Sequence, residues 1–166
     1  MSEKSPLDRD QMQVQFNCRG TASGKMRNDL AVSMEQPFKE EFQMATDEGP
    51  FHGGDATAPP PLALFVGGLT GCIMTQIRAF AKRLGVKLDD LHVDVRVIWN
   101  WQKTGKTYET APESFEIDID IDSPSNEEAI VELINAAKKG CFIEQTLGQT
   151  NVVRHRFKTD NGWQDV

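Results

Sequence analysis

The chain has few of the residues that usually announce a chemistry. Three cysteines, Cys18, Cys72 and Cys141, are an odd number set far apart, so they form no disulfide framework. Such thiols suit a reducing compartment, and a cytoplasmic protein is expected. Three histidines, His52, His92 and His155, are scattered, and none has metal-ligand spacing to a cysteine, so no metal is expected. Nucleotide-binding patterns are missing too: the Gly53-Gly54 pair leads into no phosphate loop, and no cofactor is expected. Basic residues are the minority, 18 against 25 acidic, giving a net charge of −7. That excludes nucleic acid and an anionic membrane surface as main partners, since both need a basic footprint. From Thr107 to Ala137 there are nine acidic residues and no lysine or arginine, which reads as solvated surface. The longest apolar run, Leu62 to Met74, is 13 residues with three glycines. A spanning helix wants about 20, so no membrane segment is expected. The start of the chain, Met1 to Gln13, lacks an apolar stretch and is not expected to be a secretory signal.

What is present is a change of period along 166 residues, a length suited to one domain. Residues 1–11 are polar and expected to be disordered. Met12, Val14, Phe16 and Cys18 then alternate with polar residues, as a half-buried strand does. Leu30, Val32 and Met34 continue the pattern after a turn at Gly20 to Lys25, and Phe42 and Met44 follow, predicting an antiparallel meander. Asp47 to Pro61 is a loop by composition. Beyond it Leu69, Ile73, Ile77, Phe80 and Leu84 fall at helical spacing, predicting a long helix entered through prolines and closed at Gly85. Alternation returns at Leu91 to Trp101 and at Phe115 to Ile121, with a hairpin loop expected over Gln102 to Pro112. Trp99 and Trp101 share a face and read as core or dimer interface. Ser125 and Glu128 form a capping box opening a helix to Gly140. Phe142 to Leu147 adds a helical turn, and Asn151 to Phe157 is the expected last strand. This order predicts an α+β fold with antiparallel sheet: one domain over 12–157 and a C-terminal tail over 158–166.

The segment Val66-Gly67-Gly68-Leu69-Thr70-Gly71-Cys72 stands out, because each helical glycine costs about 1 kcal/mol relative to alanine. Close approach of another backbone beside Cys72 would explain it. The thiol there is then either inert in a tight helix crossing or reactive, and spacing does not choose. Cys141 follows a helix terminus and precedes a short apolar segment, where a thiol pKa is often lowered. Cys18 shares a face with Val14 and Phe16 and is expected in the core. Asp118, Asp120 and Asp122 imitate the start of a calcium loop, but Ser123 and Ala129 stand where glycine and glutamate are needed. A solvated strand face is expected there. His52 is expected at the surface.

The stretch GGDATAPPPLALFVGGLTGCIMTQIRAFAKRLG resembles the OsmC/Ohr family, the osmotically induced and organic hydroperoxide resistance proteins, in which a loop leads into a helix carrying a peroxide-reacting cysteine. AAKKGCFIEQTL resembles the family's second motif, which carries the resolving cysteine. The order of elements is similar as well, from about Gln13 to Phe157. The resemblance implies an intertwined homodimer acting as a cysteine peroxidase. Cys72 would attack the peroxide as a thiolate and become a sulfenic acid. Cys141 would condense with it to a disulfide, which an external dithiol reduces. The apolar neighbours Phe65, Leu69, Ile73 and Phe142 suit an organic hydroperoxide. A mid-helix thiolate gains little from the helix dipole, so a cation is required. Family members carry an arginine some forty residues upstream. Arg27, 45 before Cys72, fits that separation better than Arg19, at 53.

One position departs from the family. Where its peroxidases have a glutamate ten residues before the reactive cysteine, which holds the arginine, this chain has Leu62. Asp47, Glu48 and Asp55 are acidic alternatives, and nothing in the sequence selects one. Phe142 also replaces a common proline. The second expectation is therefore an OsmC-like homodimer without efficient peroxidase activity, binding an apolar small molecule at the subunit interface.

Overall fold

The structure is a computed structural model and describes residues 10–166. The expected disordered segment, 1–11, lies outside the described residues except for its last two. The chain forms two units that meet in sequence at Phe65 and Val66.

In the N-terminal unit, strands β1 (Gln15–Ala22), β2 (Asn28–Gln36) and β3 (Glu40–Thr46) form the predicted antiparallel meander in the order β1-β2-β3. The β1–β2 turn is closed by Ser23 N–H donating to the Arg27 carbonyl at 2.8 Å, with Gly24 at φ 80 supplying the left-handed residue. Cys18 faces Val32 across the ladder but is exposed, contrary to the expectation that it lies in the core. Its alternation with Phe16 does mark an apolar face. That face stays open here, with Phe16, Phe42 and Met44 all exposed. After β3 the chain makes a single 3₁₀ turn, Pro50–His52.

Helix α1 (Pro61–Leu84) runs as predicted and ends in a Schellman turn: Gly85 has φ 71 and Val86 N–H donates to the Ala81 carbonyl at 2.9 Å. At 24 residues, with a mean hydropathy of 1.4 in its most apolar window, α1 is by length and composition able to cross a membrane. The sequence expectation counted only an uninterrupted apolar run. In the fold, Leu69, Ile73, Ile77 and Ala81, spaced by four, are buried within the protein.

In the C-terminal unit, β4 (Asp90–Thr104) and β5 (Thr107–Asp122) form a long two-stranded ribbon. The hairpin loop expected over Gln102 to Pro112 is replaced by strand. Thr104 pairs with Thr107, leaving Gly105 (φ 63) and Lys106 as the turn. Pro112 is accommodated where the register shifts, with Trp99 opposite Pro112 and Ile98 opposite Ser114. Helix α2 (Glu127–Gly140) is capped by Asn126, whose Oδ1 accepts from Ala129 N–H at 2.9 Å, not by the expected Ser125. Ser125 N–H instead donates to the Ser123 hydroxyl. Helix α3 (Phe142–Leu147) follows. The expected strand over Asn151 to Phe157 is displaced: β6 (Arg156–Thr159) pairs with β7 (Gly162–Asp165) as a terminal hairpin containing most of residues 158–166. The core joins Ile73, Ile77 and Ala81 of α1 to Leu133 and Ala137 of α2, Val86 and Cys141. Leu91, Val93, Ile117, Ile119 and Ile121 of the ribbon pack against it. Asp118, Asp120 and Asp122 lie on the exposed side of β5, as the alternation requires.

Candidate functional site

Two thiols meet in the C-terminal unit. Cys72 sits one residue before the buried Ile73 on α1, so it lies at the rim of the packed stripe, half-buried. Cys141 is fully buried in the core cluster, and Cys72 packs against that cluster. Cys141 joins two helices: it closes α2 and is the N-cap of α3, with its Sγ accepting from Glu144 N–H at 3.4 Å. Contrary to the lowered pKa expected after a helix terminus, burial pushes the Cys141 thiol up to about 11. Cys72 raises it further through a hydrogen bond and its charge, against the N–H groups of Glu144 and Ile143, which lower it. Desolvation of the thiolate therefore outweighs the donors at the helix start.

The glycines of α1 serve this region unequally. A Cβ on Gly68 would touch Ile143 Cδ1 at 3.5 Å, whereas a Cβ on Gly67 or Gly71 would meet nothing within 4 Å among the described residues. Among the described residues, the expected backbone crossing is thus not found at those two positions. The tight glycine is Gly140, next to Cys141, where a Cβ would lie 2.5 Å from Phe80 Cε2. Glu144, which the sequence reading passed over, has a buried Oε2 with no hydrogen-bond partner among the described residues. Its signal was position: the third residue after the capping cysteine, on the first turn of α3.

Arg27 belongs to the N-terminal unit, at the end of the β1–β2 turn, and is held on two sides. Its Nε donates to Asp29 Oδ1 at 3.0 Å. Its Nη1 donates to the Thr57 hydroxyl at 3.1 Å and to the Thr57 carbonyl at 3.3 Å. Thr57 is held in turn by Asp47, whose Oδ2 accepts from the Thr57 hydroxyl at 2.7 Å and from its N–H at 2.9 Å. Asp47 is only 2% exposed. Its carboxyl lies below the usual carboxylate range because Thr57 N–H and then Thr57 hydroxyl bonds favour the charged form, over an opposing desolvation. Asp29 is lowered as well, first by the Ser23 hydroxyl at 2.5 Å and then by Arg27.

Of the loop acids named from sequence, Asp55 pairs with Lys25 at 2.6 Å, and Asp47 reaches Arg27 only through Thr57. Asp29, an acid outside that loop, holds Arg27 directly; its place two residues after Arg27, at the start of β2, was the available signal. Arg19, the other candidate, is exposed on β1 opposite Ala31. Leu62 is 55% exposed, and the first turn of α1 contains no acidic residue. His52 is exposed and meets Phe51 edge to face. Among the described residues, no three His, Cys, Asp or Glu side chains converge as a metal site.

The family described as OsmC-like protein matches residues 53–156, which include α1, the ribbon and both thiols. The chain belongs to the OsmC-like family. Among solved structures, an OsmC-like hydroperoxide resistance protein from Jannaschia sp. CCS1 is 60% identical, covering 92% of this chain and 98% of that one, with a TM-score of 0.65. An OsmC-like protein from Mycoplasma pneumoniae shares the fold at 21% identity, covering 86% and 91% of the two chains, with a TM-score of 0.60. So does an organic hydroperoxide resistance protein from Legionella pneumophila, at 16% identity, 81% and 88% coverage and a TM-score of 0.53. A comparison with curated proteins finds no match. The mixed α+β composition of this chain, with antiparallel strands, a long helix and a second helix, is that of these OsmC-like structures.

Proposed function

We propose that this OsmC-like chain serves in defence against peroxide stress as a thiol-dependent reductase of organic hydroperoxides. The observation that carries the reading is the meeting of Cys72 and Cys141, 69 positions apart in sequence, in one packed cluster. The hydroperoxide resistance activity named for the 60% identical Jannaschia protein supports it.

In this reading the Cys72 thiolate attacks the terminal peroxide oxygen. The O–O bond breaks, the alcohol leaves with a proton, and Cys72 becomes a sulfenic acid. The Cys141 sulfur then displaces water to form the Cys72–Cys141 disulfide, and an external dithiol takes the two oxidising equivalents. Arg27 is the cation that favours the thiolate. The chain acts as a cytoplasmic homodimer; the open apolar faces at Phe16, Phe42 and Met44 and at Trp101 are what a second copy would cover. The burial of Cys141 supports a resolving role, since it keeps the thiol protonated and away from solvent oxidants until Cys72 is oxidised.

The test is intact-mass spectrometry of reduced protein after one equivalent of cumene hydroperoxide, followed by peptide mapping. Loss of two mass units mapped to Cys72–Cys141 is expected. Protein still reduced after minutes would sink the reading.

One observation favours a second reading. The first turn of α1 has no carboxylate and exposes Leu62. A family member that lost peroxidase efficiency would then bind an apolar small molecule, and a thermal shift with a hydrophobic ligand together with an inert Cys72 would identify it.

A further inference from the structure

Arg27 is held by Asp29 on one side and by Thr57 on the other, and the loop that carries Thr57 is fixed by its own hydrogen bonds. Asp47 N–H donates to the Pro59 carbonyl at 3.2 Å, Ala56 N–H to Glu48 at 3.0 Å and Gly54 N–H to Gly49 at 3.1 Å. Gly54 is buried against the Glu48 carbonyl, where a Cβ has no room. Ala56 holds a φ of 53, a left-handed conformation that a non-glycine residue adopts only when its surroundings impose it. All of this fixes the residue that follows, Thr57, whose hydroxyl has its hydrogen directed to Asp47 and its lone pairs to Arg27. Lys25 adds a second tie between the same turn and the same loop, through Asp55.

We infer that Thr57 and Asp47 are positioning residues for Arg27, holding its guanidinium from the loop in place of a carboxylate on the helix. This rests on the proposed role of Arg27 toward the Cys72 thiolate. The polarity of the relay matters. Asp47, buried and charged, orients the Thr57 hydroxyl so that its oxygen is presented only as an acceptor, and an acceptor is what a guanidinium needs. A threonine without Asp47 would be free to rotate. An Asp47 without Thr57 would be buried with lost partners. Asp29 fixes the Nε side, so loss of the Thr57 contact leaves Arg27 tethered at one edge and free to swing about it.

The experiment compares Thr57→Val, Thr57→Ser, Asp47→Asn and Arg27→Gln in a Cys18→Ser background. Thr57→Val keeps the shape and the backbone N–H bond to Asp47 and removes only the hydroxyl. Three quantities are read: the Cys72 thiolate titration by ultraviolet absorbance, the Arg27 Nε–H resonance by ¹H–¹⁵N spectroscopy, and kcat and KM with cumene hydroperoxide. Thr57→Val is expected to broaden or shift the Arg27 signal and raise the Cys72 titration midpoint in the same direction as Arg27→Gln. It is also expected to lower kcat/KM roughly tenfold or more. Thr57→Ser should restore all three. A Thr57→Val protein whose Arg27 resonance and Cys72 titration match the wild type overturns the inference, whatever its melting temperature. If Arg27→Gln alone leaves the Cys72 titration unmoved, the role proposed for Arg27 fails. The Arg27 resonance then still decides whether Thr57 holds it, so the two failures are told apart.

Discussion

The edge of the Phe80 ring lies against the Cα of Gly140, so close that a Cβ there would sit 2.5 Å from Cε2 and 2.7 Å from Cζ. Real Cβ atoms do not approach so closely, so a side chain at residue 140 would force the Phe80 ring to move. Gly140→Ala is therefore expected to destabilise the fold by about 1–3 kcal/mol, through displacement of Phe80 and a shift of the neighbouring Cys141. Chemical denaturation checks the first effect. Gly71→Ala is the control: its added methyl meets nothing within 4 Å, so stability should hold or rise slightly.

The three thiols should alkylate in the order of their exposure. Cys18 is exposed, Cys72 half-buried and Cys141 fully buried. Limited iodoacetamide followed by peptide mapping is expected to label Cys72 while Cys141 remains free, and to label Cys18 as well where no second copy covers the β1 face. Labelling of Cys141 first would contradict its place in the core.

Cys141 also sets an alkaline limit to stability. Its thiol moves from an ordinary 9.0 to about 11 in the fold, so above pH 9 the unfolded chain releases a proton that the native protein keeps. The native state is then the more protonated one, and stability falls as pH rises from about 9 toward 11. The stabilisation is fully present below that window. Urea midpoints measured across it should decline in the wild type and decline less in Cys141→Ala, once the lower baseline of that variant is subtracted.

Asp47 does the opposite at acid pH. Its folded carboxyl lies below the ordinary 3.8, so its contribution is present above that value and is lost as pH falls through the depressed one. Urea midpoints in that range should fall less steeply with acidification in Asp47→Asn than in the wild type. An unchanged acid slope would mean that Asp47 keeps its partners when protonated.

The fold was largely legible because its buried faces are written at clear periods. Ile73, Ile77 and Ala81 recur by four, and Val93, Val95, Ile117 and Ile119 by two, so helix and ribbon followed directly. The ends of elements were harder. Gln102 to Pro112 looked like a loop because Lys103, Gly105, Lys106 and Pro112 have poor strand character, yet backbone pairing continues as far as Thr104 and Thr107. Cys18 was misplaced for a different reason: alternation identifies an apolar face but not what covers it. In the site, the two cysteines were legible from their motifs. The relay from Asp47 through Thr57 to Arg27 was not, because it depends on how the loop after β3 folds back on itself, and no periodicity encodes that.

The long ribbon has a consequence for handling the protein in solution. Among the described residues the sheet holds only β4 and β5, so it has two strand edges, the kind of template on which chains aggregate. Its solvent face carries Asp94, Glu116, Asp118, Asp120 and Asp122 against one arginine, Arg96, which pairs with Glu116, so the face keeps an acidic excess with Asp94 opposite Asp118 and Asp90 opposite Asp122. Mutual repulsion between two such faces acts as a gatekeeper at neutral pH. Near the isoelectric point of about 5.0 that repulsion fades, and light scattering is expected to rise there, with salt bringing the onset closer to neutrality.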